Sequence, residues 1–228
     1  MRLACHCCDV ARRLGRPWVL QGNTVMDLRH HQLCTDLRAA ALEKLFGFRP
    51  TRFYSAGELL AEPDRRFLID ILIYPLETET RRIEVAVTNG MSDQRMANPE
   101  RSDAVCRREL IQYLPVCTLG HARRLQAMAC LPLVDGFHLD AFHTLGWKEP
   151  AVEGTPWKDA FFLEPPLEGH QEFACEVGGD RVGLLWHIPI SEAERAFKRE
   201  HGSGALLDRM DAEGLSWVFD EGNRPALV

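Results

Sequence analysis

The sequence predicts an α+β fold, a mixed and mainly antiparallel sheet covered by helices. Three observations carry that expectation. Apolar strand-like segments come in pairs joined by short polar or Pro/Gly connections, and helical patterns come in groups instead of alternating one by one with strands. In addition, 46% of the 228 residues are hydrophobic, ample for a sizeable core. A parallel doubly wound sheet would need strict strand–helix alternation, which the pattern lacks. The expected organisation is one domain over residues 31–228, preceded by an N-terminal segment, 1–30, of uncertain structure.

In chain order, Leu33, Leu37, Ala40, Ala41, Leu42 and Leu45 recur at helical spacing and predict an amphipathic helix over His31–Phe46, closed by Gly47. Phe67–Tyr74 and Arg82–Thr88 are rich in Ile, Leu, Val and aromatics and read as adjacent strands, with Asp70 the odd residue. Asp70 is expected to cap a backbone group or to pair with Arg66 or Arg82. A helix capped by Ser102 is predicted through Tyr113, and a second over Gly120–Leu131, ending at Pro132. Prolines and glycines between Pro132 and Pro166 predict a long surface connection interrupted only by a strand at Asp159–Leu163. Val182–Ile188 reads as a strand stopped by Pro189. Two helices follow, Ser191–His201 and Ser203–Glu213, and a short strand at Leu215–Phe219.

The helix start at Ser191 is the strongest local signal. Ser191 and Glu194 have the spacing of a reciprocal capping box, Glu192 and Glu194 sit at the positive end of the dipole, and Gly202 suits a left-handed exit. None of these groups implies chemistry.

Charge narrows the function classes. Lys and Arg number 27 against 33 acidic residues, a net charge of -6, so no basic field draws the chain to nucleic acid. The longest apolar run near the strands, Phe67–Ile73, is short and broken by Asp70, so no membrane span is expected. With no apolar signal region before Met1-Arg-Leu-Ala-Cys5, the expected location is cytoplasmic, and the eight cysteines are read as reduced thiols, several of them buried.

Two clusters contain metal-ligand residue types. Cys5-His-Cys-Cys8 with His30, His31 and Cys34 lacks the usual two-residue gap, and His138-Leu-Asp-Ala-Phe-His143 converges only if it forms a loop. Asp70 and Glu84 on neighbouring strands would suit a nuclease-like metal pair, but the lysine that helps activate water is missing after Glu84. Met91-Ser92-Asp93 lacks the flanking pattern of a nucleophile elbow, and no phosphate-cradling glycine motif occurs. Neither a cofactor nor a metal is expected.

Four segments in order resemble the bacterial suppressor-of-fused-like domain: Asn89-Gly-Met-Ser-Asp93, Glu109-Leu-Ile-Gln-Tyr-Leu-Pro115, the run Leu184–Gly202, and Gly214-Leu-Ser-Trp-Val-Phe-Asp220 before Asn223-Arg-Pro225. The resemblance covers roughly Phe67 to the C-terminus. It implies stoichiometric protein binding, as an immunity protein that neutralises a cognate toxin, with no enzymatic activity. Two alternatives stay open: a metal-dependent enzyme using the His/Cys clusters, and an intracellular scaffold. The candidate partner contacts are Met91, Ser92, Asp93 and Met96 in one loop and Phe142, Trp147 and Trp157 in the other, since both combine loop placement with Met or aromatic groups. Charge reversal at Asp93 is accordingly expected to weaken binding without unfolding.

Overall fold

The computed structural model describes residues 28–59, 67–97, 104–147, 150, 155–167, 169–170, 173–225 and 227. The elements are α1 (Leu28–Phe46), β1 (Arg52–Tyr54), α2 (Ala56–Leu59), β2 (Asp70–Glu77), β3 (Arg82–Asn89), β4 (Arg107–Leu114), α3 (Leu119–Asp135), β5 (Thr144–Leu145), β6 (Asp159–Leu163), β7 (Cys175–Val177), β8 (Asp180–Ile190) and α4 (Glu192–Ala212). The strands form one sheet in the order β1-β2-β3-β4-β8-β6-β5, with β7 also on β8. All pairings are antiparallel except at the centre, where Arg107–Ile111 runs parallel to Val182–Trp186. This is the mixed, mainly antiparallel α+β sheet that the sequence predicts.

Helices cover both faces. Ile71, Ile73, Leu110 and Leu185 pack with Leu125 and Met128 of α3, whereas Leu72, Tyr74, Val85 and Ile111 pack with Leu42 and Phe46 of α1. Farther along β8, Ile188 and Ile190 meet Leu206 and Met210 of α4. Burial on both sides is why much of β2, β3 and β8 reads as apolar runs.

Several sequence-based expectations need correction, among them the connection between Pro132 and Pro166, which holds strand β5 as well as β6. Residues 107–114 form a central strand, not the end of a helix, and Ser102 lies outside the described residues. The apolar groups of this segment fit either period, and burial from Arg108 to Leu114 on both faces favours the strand. In α1 the buried stripe is Cys34, Arg38, Leu42 and Phe46, leaving Leu33 and Leu37 at 58% and 50% exposure. Arg38 takes the inward position because buried carboxylates attract it. Helix α3 continues past Pro132 to Asp135, where Gly136 at φ 68° closes it. Residues 215–219 are not a strand, although Phe219 N–H donates to Tyr113 O at 2.8 Å.

At the strongest local signal, Ser191 Oγ accepts from Glu194 N–H at 3.1 Å and Glu194 accepts from Ser191 N–H at 2.6 Å. Gly202, at φ 89° and ψ 167°, breaks α4 into the two halves the sequence predicts. Strand β8 runs through Pro189 to Ile190, and Trp186 within it is half-buried. Pro189 is tolerated there because β4 leaves β8 at Trp186, so no ladder bond needs its missing N–H. Ser191→Ala should lower stability by about 0.5–2 kcal/mol in urea denaturation, with β8 and the second half of α4 intact. An unchanged midpoint would mean the cap contributes nothing.

Among the described residues, no helix is long and apolar enough to cross a membrane.

Candidate functional site

The most concentrated polar chemistry lies at the end of β3, and its centre is Glu109. This carboxylate is fully buried in β4. It accepts from the N–H groups of Gly90, Met91 and Ser92 at 3.1, 3.3 and 2.9 Å, and from the hydroxyls of Ser92 and Thr88 at 2.6 Å each. Arg38 Nε lies 3.3 Å from Glu109 and donates to Asn89 Oδ1 at 2.7 Å, while its far end pairs with Asp93. His31 also pairs with Asp93, and Arg107 donates to the carbonyls of Ser92 and Asp93 at 2.8 and 2.9 Å. Burial opposes the Arg38 charge, but Glu109 and Asp93 outweigh it and hold the guanidinium pKa above its ordinary value. Glu109 and Arg107 thus bind the backbone of the chain reversal after Asn89 directly.

A second buried pair ties the C-terminal segment to the α4 cap. Arg224 donates to Glu194 Oε1 at 3.2 Å and to Pro189 O, and its guanidinium lies 4.7 Å from the Trp157 ring centroid. A third joint holds the loop before β6: Asp159 accepts from Arg195 at 2.6 Å and from Trp147 N–H at 3.0 Å.

These placements correct the proposed contact loops. Met91, Met96 and Trp157 are core residues, and Ser92 is buried with its hydroxyl on Glu109. The Asp93 side chain is 6% exposed. Asp93→Lys would therefore set a cation against Arg38 inside the protein and destabilise the fold, contrary to the expectation of a surface effect. Trp147 is half-buried beneath Arg124, whose guanidinium lies 4.9 Å from its ring. Phe142 alone of the seven is exposed, at 52%, in a left-handed conformation with φ 68°.

The other chemical candidates separate. Asp70 accepts from Ala56 N–H at 2.8 Å, one of the two roles predicted for it, and burial raises its pKa. Its partner in the sheet register is Asn89, whereas Glu84 lies opposite Pro75 and pairs with Arg52 at 2.6 Å, so the two carboxylates do not share a site. A loop does bring His138 and His143 to 6.5 Å between ring centroids, but His138 Nε2 donates to Val105 O. Among the described residues no group of three or more His, Cys, Asp or Glu is arranged to hold a metal. Cys5, His6, Cys7 and Cys8 lie outside the described residues. The described cysteines are buried, and burial pushes the Cys117 thiol up to about 12.

Two features escaped sequence reasoning. His187 on β8 is 1% exposed, and neither ring nitrogen has a hydrogen-bond partner among the described residues. Burial, with Arg124 and His121 nearby, pushes its pKa down to about 3. Because this lies below the ordinary 6.5, the folded state binds fewer protons than the unfolded one. His187's contribution is fully present above pH 6.5 and is lost as pH falls toward 3, with a slope of up to about 1.4 kcal/mol per pH unit. The urea midpoint should thus fall between pH 7 and 5, and His187→Phe should flatten that dependence; an equal slope in the variant would assign it elsewhere.

The second feature is a cavity of about 500 Å³ between β8, the second half of α4 and the C-terminal segment. Trp186 and Trp217 in its wall stand edge-on against Tyr113, at 6.1 and 5.1 Å between centroids. Tyr113 is itself fixed by a 2.7 Å hydrogen bond between its hydroxyl and His170 Nδ1.

The segments singled out by resemblance thus meet in pairs, Asn89–Asp93 on Glu109 and the Ser191–Glu194 cap on Arg224. A family model of the suppressor of fused protein matches residues 68–223, more than half of the chain. The chain belongs to the suppressor of fused family. A suppressor of fused homolog from Neisseria gonorrhoeae is similar in structure, with 17% identity, a TM-score of 0.63, and coverage of 86% of this chain and 98% of the homolog. The Sufu–Fu complex contains a similar chain at 10% identity and TM-score 0.64, covering 85% of this chain and 92% of that one. Drosophila Suppressor of Fused matches at 11% identity and TM-score 0.59 over 85% of this chain, which spans about half of the Drosophila protein (51%). At these identities the likeness is one of fold. No curated protein sequence matches. In this suppressor of fused domain the paired motifs are joints of the fold.

Proposed function

We propose that the chain is a non-enzymatic, cytoplasmic protein-binding module, and specifically an immunity protein that neutralises a toxin by stoichiometric binding. The observation that carries the binding role is membership of the suppressor of fused family, in which a structurally similar chain was solved as the Sufu–Fu complex. The chemistry of the interior supports a non-enzymatic reading: Glu109, Asp70, Asp159 and Glu194 are each committed to backbone N–H groups or arginines. The net charge of -6 suits a basic partner. Phe142 is the exposed aromatic of the originally proposed set, standing beside edge strand β5.

Co-expression with a cognate toxin, sought among neighbouring coding sequences, should rescue growth through a direct complex of fixed stoichiometry, measured by calorimetry on the purified pair. Inactivation of excess toxin by a catalytic amount of this protein would refute sequestration. Rescue without a complex would do the same.

A further inference from the structure

The cavity beside α4 has a chemistry that the fold does not use. Leu163, Ile188, Leu207 and Met210 give it an apolar lining, and Trp186 and Trp217 add two aromatic surfaces. Asp211 and Glu213 also line it; both are exposed, and neither carboxylate has an ion-pair partner among the described residues. Two arginines and Asp220 also line the cavity, but these arginines are already engaged, Arg224 with Glu194 at 3.2 Å and Arg81 with Asp220 at 3.8 Å, which leaves Asp211 and Glu213 as the unpaired charges of the wall among the described residues. Anions are disfavoured at such a mouth, and a purely apolar guest would leave its carboxylates unanswered.

We propose that this cavity receives a basic side chain, arginine or lysine, presented by the protein partner. The assignment rests on the protein-binding reading and adds the chemistry of the contact. A long cationic side chain satisfies each part of the wall: its aliphatic stem covers the Leu207 and Met210 surface, its charge answers Asp211 and Glu213, and indole faces attract cations. Tyr113 holds both tryptophans in place before binding, so little side-chain freedom remains to be lost. At about 500 Å³ the space falls in the range of ordinary ligand sites and exceeds what one side chain fills, leaving room for flanking partner atoms.

The test uses the whole chain, ¹⁵N-labelled, titrated with N-acetyl-arginine methylamide or its uncharged isostere, N-acetyl-citrulline methylamide. Indole N–H signals of Trp186 and Trp217 are assigned with Trp186→Phe and Trp217→Phe. Saturable shifts of both indoles are expected with the arginine probe, and the citrulline probe should bind about tenfold more weakly. The Asp211→Asn, Glu213→Gln double variant should lose a similar factor for arginine while keeping its urea midpoint, because both residues are exposed. Equal binding of the two probes, absence of saturation, or an unaffected double variant would overturn the assignment. With a toxin partner in hand, Asp211→Lys with Glu213→Lys should weaken the complex. Unchanged partner affinity in that variant removes the cavity from the interface and leaves protein binding standing. Saturation by the arginine probe in a chain that binds no protein would instead remove the partner as the source of the cation.

Discussion

Glu109→Ala should lower the stability of this protein by about 3–5 kcal/mol, a large share of the roughly 5–15 kcal/mol that holds a typical native protein folded. The carboxylate accepts from three consecutive N–H groups and two hydroxyls, and its oxygen lies 3.3 Å from the Arg38 Nε. Alanine would strand all of those donors away from water and leave Arg38, fully buried, with Asp93 as its remaining carboxylate. Breaking one side of such a pair is costly because the partner charge stays behind uncompensated. Urea denaturation measures the loss. Arg38→Leu with Glu109→Leu, removing both charges, should be less damaging than the sum of the two single changes. A loss below about 1 kcal/mol for Glu109→Ala would show that the buried network is not what secures the chain reversal.

Gly90→Ala should be nearly as damaging, through the backbone. Gly90 has φ 143°, which L residues rarely adopt, and a Cβ there would run into Leu68 O while lying 3.0 Å from Ile69 Cα. Neither neighbour is the end of a flexible side chain, so the reversal itself must shift, and with it the N–H groups aimed at Glu109. The expected loss is about 3 kcal/mol or more. Gly136→Ala is the control, because that glycine has φ 68° but open space around the missing Cβ. Its cost should be only about 1–2 kcal/mol. Similar losses at the two positions would show that conformation alone, without the collision at Leu68, accounts for the effect.

Much of the fold was legible in the sequence, and the reason differs by element. The α4 cap is local: Ser191 and Glu194 need only each other, so a four-residue pattern predicts it. The sheet class followed from the paired strands β2 and β3, whose partners are neighbours in sequence. Strand β4 was misread because its identity comes from nonlocal pairing, with β8 some 75 residues on at Arg107 and Val182. Propensity yields to such burial. The burial of four of the seven candidate contact residues was hidden for a related reason. Met91, Met96 and Trp157 carry the marks of interface residues, but apolar groups on irregular chain serve the core equally well. No spacing rule ties Arg38 to Glu109 or Arg224 to Glu194; the fold alone joins them. The cavity likewise draws its wall from β6, β8, α4 and the C-terminal segment, and no one stretch announces it.

The parallel junction of β4 with β8 also imposes an order on assembly. Strands β2, β3 and β4 form an antiparallel meander whose contacts span a few dozen residues, all available once Leu114 has been synthesised. Strand β8 arrives much later and must close a long loop before its contacts repay the entropy. Until then β4 exposes an unpaired edge in the nascent chain, the kind of edge that recruits other strands. Glu109 lies on that edge strand, and a buried charge there makes a poor template for any stranger's backbone.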